Sequence, residues 1–168
     1  MLSQGVRTLF ITGEQVFQAA VATGGRRLLD LLNDGLTDYV QARDAQVFHD
    51  LDMATTVASF PSACVRKEAL SLVILPEEGH EAPEKRFFGY VQKLPQRVFV
   101  AVPGYEVEGR LHLLRAGEAV TVLTHDLGEF FPVTQAQLRH TRAPFEVLDV
   151  PVVMIHKSTV ALFCLEEA

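Results

Sequence analysis

The sequence predicts an α+β fold, mainly β, arranged as two tandem β-β-α-β-β-β units. Three observations carry that expectation. Apolar runs rich in β-branched and aromatic residues recur between turn residues along the 168-residue chain. Helical spacing is confined to one short stretch in each half. Finally, "FPSACVRKEALSLVILPEE" (60–78) and "VPVVMIHKSTVALFCLEE" (150–167) repeat one pattern. Each unit is expected to close as a small half-open barrel or roll over its helix, and the two to pack into one pseudo-two-fold body.

The repeat sets the register of the other elements. At an offset of 91, Gly13 falls on Gly104, Val16 on Val107, Leu32 on Leu123 and Leu36 on Leu127. Ala45-Gln46 falls on Ala136-Gln137, and His49 on His140. A one-residue deletion between His140 and Val150 then lowers the offset to 90. There Pro61 meets Pro151, Lys67 meets Lys157, Leu72 meets Leu162, Leu75 meets Leu165 and Glu77 meets Glu167. The expected boundaries are unit one at 1–78, a linker with an apolar middle at 79–96, and unit two at 97–168.

Each unit opens on an apolar run, "VRTLFIT" or "RVFVAVP", ended by a turn at Gly13 or Gly104. A second strand follows, clearest where Tyr105, Val107 and Leu111 alternate with Glu106, Glu108 and Arg110. In "GGRRLLDLLND" the residues Leu28, Leu29, Leu31 and Leu32 form an apolar stripe opposite Arg26, Arg27 and Asp30, which predicts a short helix. Its counterpart "AGEAVTVLTHD" carries β-branched Val120, Thr121 and Val122, yet the repeat register assigns it helix as well. A third strand begins near Tyr39 or Phe130. The last two strands are expected at 57–65 and 69–75, and at 147–155 and 159–165, with "RKE" or "HKS" as a tight hairpin turn between them.

Composition narrows the classes of function. Hydrophobic residues make up 48% of the chain, enough for a core, and the formal net charge is −6, which argues against a nucleic-acid-coating protein. The chain has no apolar run of the roughly 20 residues a membrane span needs, and its start lacks the pattern of a secretory signal. Two cysteines, Cys64 and Cys164, make no disulfide framework, and a cytoplasmic setting is expected.

The elements "xYxVxGxLH", "LxDxLN", "FxPVTxAxV" and a final apolar hairpin with Lys in its turn resemble a small bacterial domain of unknown function, of about 70 residues per copy. Tyr105, Val107, Gly109, Leu111 and His112 carry the first element. Leu29, Leu32 and Asn33 carry the second, and Phe130, Pro132, Val133, Thr134, Ala136 and Leu138 the third. Lys67 and Lys157 sit in the hairpin turns. The first copy departs from the pattern, with Gln18 where Gly109 stands and Gln41 where Pro132 stands. The resemblance implies no catalytic residues.

A search for chemistry finds no phosphate loop, nucleophile elbow or paired-cysteine zinc spacing. Cys64 aligns with Met154 and Cys164 with Ile74, so both thiols are expected to serve as buried small hydrophobes. The six histidines show no zinc-binding spacing, and Lys67 and Lys157 are expected to be solvated turn charges. No catalytic, cofactor or metal residue is assigned, and no cofactor is expected. The candidate ligand or partner contacts are Gln46 and Gln137, which share a repeat position, and Phe87, Phe88 and Tyr90 in the linker. Those rings alternate with cations in "KRFFGYVQKLPQR", a pattern suited to single strands, but the global charge disfavours nucleic acid.

The resulting expectation is a non-enzymatic assembly or adaptor module, with a protein partner or a homo-oligomer and no membrane association. The alternative is a small-ligand sensor binding between the halves through the glutamine pair and the linker rings. A nucleic-acid binder or an enzyme ranks below both.

Overall fold

The apolar runs become strands of one sheet. The computed structural model describes residues 5–49, 51, 53–76 and 93–167. The first half contains β1 (Val6–Ile11), β2 (Val16–Val21), α1 (Leu28–Asn33), β3 (Tyr39–Phe48), β4 (Thr56–Arg66), a 3-10 turn (Lys67–Ala69) and β5 (Leu72–Leu75). The second contains β6 (Leu94–Val102), β7 (Tyr105–Leu113), α2 (Ala119–Thr121) running into a π turn (Val122–Asp126), and β8 (Phe130–His140). It ends with β9 (Ala143–His156), a 3-10 turn (Lys157–Thr159) and β10 (Leu162–Leu165). β6 therefore takes in Leu94, Pro95 and Gln96, which the sequence had assigned to the linker.

The ten strands form a single antiparallel sheet in the order β10-β6-β7-β8-β9-β5-β1-β2-β3-β4. Both halves run the same internal order, last strand first, and β5 joins them by pairing with β9. The expected closing hairpin does not form. β4 pairs with β3, whereas β5 pairs with β1 and β9; likewise β9 pairs with β8 and β5, and β10 with β6. The 3-10 turn explains the difference. Leu70 N–H returns to the Lys67 carbonyl at 3.1 Å, and Val160 N–H to the Lys157 carbonyl at 3.2 Å, so the chain swings away from the strand it has just left.

Two cores lie on opposite faces of the central strands. On β5, Leu72 and Ile74 belong to the core of the second half, while Val73 and Leu75 belong to that of the first. On β1, Leu9 and Ile11 face one core and Phe10 the other. On β9, Val153 and Ile155 are divided from Met154 in the same way. Strands covered on both faces need apolar residues at every position, which accounts for the unbroken runs "LVIL" and "VVMI". β7 has one covered face and alternates as expected, with Tyr105, Val107, Leu111 and Leu113 buried.

Strand pairing corrects the repeat register in the first hairpin. Phe10 pairs with Phe17, and Val100 with Val107, so Phe17 and not Val16 occupies the place of Val107. The offset there is 90, and Ala19 stands where Gly109 does. Nor do Gly13 and Gly104 correspond. β1 and β2 are joined by Thr12–Gln15, where the Thr12 hydroxyl accepts from Gln15 N–H at 3.0 Å, whereas β6 and β7 turn on Pro103-Gly104 with Gly104 at φ 81°. The offset becomes 91 from the helix through the third strand. The helix-opening bonds Leu31 N–H to Arg27 O and Val122 N–H to Glu118 O stand in that relation. The second helix forms despite its β-branched residues.

Both halves carry the same bulge between their second and third strands, at Gln18/Ala20 and at Glu108/Arg110. The residue opposite has left-handed φ in each case, 51° at Asp44 and 47° at Gln135. A Cβ on Gly109 would lie 2.5 Å from Val133 Cγ1 and 2.8 Å from the Thr134 carbonyl. In the first half Ala19 fills this place because Ala42 stands where Val133 does; both alanines are buried. Gly109→Ala is expected to cost about 1–3 kcal/mol by overpacking. Val133→Ala in the same chain should recover part of that loss, read as non-additive urea midpoints across the double-mutant cycle.

Candidate assembly interface

A β-strand left at the rim of a sheet presents unpaired backbone donors and acceptors, and these can recruit another strand. Here β4 and β10 are the two rims. The junction of β5 with β9 shows the same kinds of strand when paired: Leu72 lies opposite Ile155, Val73 opposite Met154, Ile74 opposite Val153 and Leu75 opposite Val152. Backbone bonding continues past that ladder, with His156 N–H donating to the Ser71 carbonyl at 3.0 Å.

Side chains reinforce the junction. Asn33, at the end of α1, donates from Nδ2 to the Phe130 carbonyl at 3.0 Å and accepts the Phe130 N–H through Oδ1 at 2.8 Å. One amide thus satisfies both backbone groups of the first residue of β8. Gly128 permits this approach, since a Cβ there would sit 3.1 Å from Asn33 Nδ2. The buried His156 ring stacks on Phe130 with centroids 4.5 Å apart, and its Nδ1 lies 2.9 Å from the Leu70 carbonyl. The sequence reading gave His156 no part in packing. Its only local signal is its place between an apolar run and the turn lysine.

Lys67, expected in solvent, is buried. Its Nζ donates to the Asp34 carbonyl at 2.8 Å and to Thr37 Oγ1 at 3.1 Å, tying the turn before β5 to the segment after α1. Burial lowers its pKa, partly opposed by the Asp34 carboxylate. Asp34 is itself held below the usual carboxylate range, first by its hydrogen bond from Arg26 and then by the Leu36 N–H. Lys157 is only half-buried. Both lysines anchor their turns by backbone, Lys67 N–H to Asp38 O and Lys157 N–H to Glu129 O.

The thiols also differ from expectation. Cys64 on β4 and Cys164 on β10 are both exposed, because each lies on a rim strand with a neighbour on one side only among the described residues. The two glutamines do not meet. Gln46 accepts a 2.6 Å bond from Gln18 Nε2 across β2 and β3. Gln137 is exposed on β8, with β9, β5, β1 and β2 between it and β3 in the sheet. It borders an open groove of about 690 Å³ beside the junction, together with Arg97, Glu108, Asp149 and Pro76. Phe87, Phe88 and Tyr90 lie outside the described residues. Among the described residues no three His, Cys, Asp or Glu side chains cluster as metal ligands, and no helix is long and apolar enough to cross a membrane.

No family model, curated protein or solved structure matches the chain.

Two substitutions test the junction. Asn33→Ala should destabilise the protein by about 2 kcal/mol, because two buried backbone groups lose their partner, and Asn33→Asp, which keeps only an acceptor, should fall between. Lys67→Met should cost about 1–3 kcal/mol, whereas Lys157→Met should stay within about 0.5 kcal/mol. Chemical denaturation of each variant reads both contrasts.

Proposed function

We propose that the chain is a tandem duplication of one β-β-α-β-β-β unit and works as a non-enzymatic assembly or adaptor module. It acts through protein–protein contacts made by strand addition at the rims of its sheet. The observation that carries this reading is the bareness of one stretch on each rim, 62–65 of β4 and 162–165 of β10. Natural sheet edges are commonly blunted by charge, proline or a bulge. Residues 162–165, "LFCL", and 62–65, "SACV", have no charged residue or proline, and no bulge interrupts their pairing with β6 and β3.

Other features support it. The equal strand order of the two halves, the paired bulges and the matching 3-10 turns favour duplication. Because unlike strands, β5 and β9, meet at the junction, the relation between the units is better described as head-to-tail than as two-fold. The resemblance to a small bacterial domain agrees with this unit and assigns it no chemistry. Exposed, unbridged thiols suit a reducing, cytoplasmic setting.

A second reading, small-ligand sensing, draws on the groove beside Gln137. It loses the glutamine pair as a clamp, since Gln46 is held by Gln18.

Amide hydrogen exchange tests the assembly reading. In a complex isolated from producing cells, backbone amides of 62–65 or 162–165 should exchange at least about tenfold more slowly than in the dilute purified chain. Equal, open-edge exchange in both samples would remove the rims as binding surfaces.

A further inference from the structure

The internal junction specifies what the rims fit. β10 follows its 3-10 turn as β5 follows its own, and pairs with β6 as β5 pairs with β1: Phe99 faces Cys164 where Leu9 faces Ile74. β4 pairs with β3 as β9 pairs with β8, with Val40 opposite Val65 where Phe131 is opposite Ile155. The rim at β10 is thus a second β5, and the rim at β4 a second β9.

Resting on the strand-addition reading above, we propose that the partner is a second copy of this chain, with its β10 added antiparallel to β4. Carrying the β5–β9 register across by 90 positions pairs Leu162 with Val65, Phe163 with Cys64, Cys164 with Ala63 and Leu165 with Ser62 of the neighbouring copy.

Burial supports this occupant. Leu72 is fully covered at the junction and its counterpart Leu162 is 51% exposed; Phe130 is 2% exposed against 50% for Tyr39; Val150 is 7% exposed against 58% for Phe60. Leu162, Tyr39 and Phe60 thus stay large although exposed, while Ser62, Ala63 and Cys164 are smaller than their junction counterparts Val152, Val153 and Ile74. "LFCL" is written like "LVIL", with no polar position, although only the latter is covered by strands on both sides. Proline marks the same limit on both acceptor strands: Pro151 lies just outside the β9 ladder with β5, and Pro61 just outside the stretch expected to receive β10. A junction of unlike strands is heterologous, so repetition generates a ring where the rotation closes and a filament where it does not.

Site-directed cross-linking tests the register. In Cys64→Ser, Ala63→Cys the introduced thiol should face Cys164 of the next copy, and mild oxidation should give a ladder of disulfide-linked oligomers. Cys64→Ser, Ser59→Cys, with its thiol beyond Pro61, should give none. Linked dimers in Cys64→Ser alone would show like rims meeting and overturn the proposal, as would the absence of any ladder in the first variant. Leu162→Asp, at an exposed position, should keep the circular dichroism of the parent and weaken association about tenfold or more by light scattering; unchanged association would count against the proposal. If the purified chain remains monomeric with open rims at every concentration while a different protein protects them, self-assembly fails and the strand-addition reading stands. If no partner protects them, both fail.

Discussion

The ladder between β5 and β9 is the constraint on which the rest of the molecule depends. β5 is only four residues long and is buried at every position, with β1 on one side and β9 on the other. So short a strand gains little from its own hydrogen bonds, and most of its stabilisation comes from apolar surface buried on both faces. Those faces belong to different cores, so the strand that ends the first half also completes the core of the second. Asn33 and His156 add bonds across the same seam, satisfying backbone groups of Phe130 and Leu70 that the ladder does not reach. The halves consequently share one sheet and do not behave as separate beads.

Within that sheet, the two halves reach the same geometry with different residues. The bulge needs a small residue on the second strand and a left-handed one opposite. Gly109 beneath Val133 and Ala19 beneath Ala42 divide the available volume differently. Close packing conserves the sum of volumes more strictly than any one side chain. Sequence identity is accordingly a poor guide to equivalence here: the shared Gly13 and Gly104 sit in unlike turns, while the dissimilar Phe17 and Val107 share a place. The same divergence separates the glutamines, one bound to Gln18 and the other open to a groove.

On the rims, residues 62–65 and 162–165 carry neither charge nor proline. Exposed apolar residues on a sheet edge invite aggregation, and the proposed strand addition would cover those in these two stretches. In that proposed pairing Pro61 would limit the ladder to four residues.

The sequence by itself determined most of the secondary structure, although residues 69–71 and 159–161, expected in strands, lie in or beside the 3-10 turns. Strand alternation in 105–113, the leucine stripe of 28–32 and the apolar runs at 72–75 and 152–155 are local patterns, set by backbone sterics and by which face meets water. Even the β-branched second helix was legible, through its register with the first. Tertiary structure alone decided which strand lies beside which. The segments 57–65 and 69–75 read as a hairpin because nearness in sequence favours pairing, yet the 3-10 turn sends β5 to β1 and β9. From that choice follow the exposure of Cys64 and Cys164, which lie on rims, and the burial of Lys67, whose amine reaches a carbonyl after α1. An apolar residue records that cover is wanted, but its neighbour comes from distant parts of the chain, and only the assembled sheet supplies it.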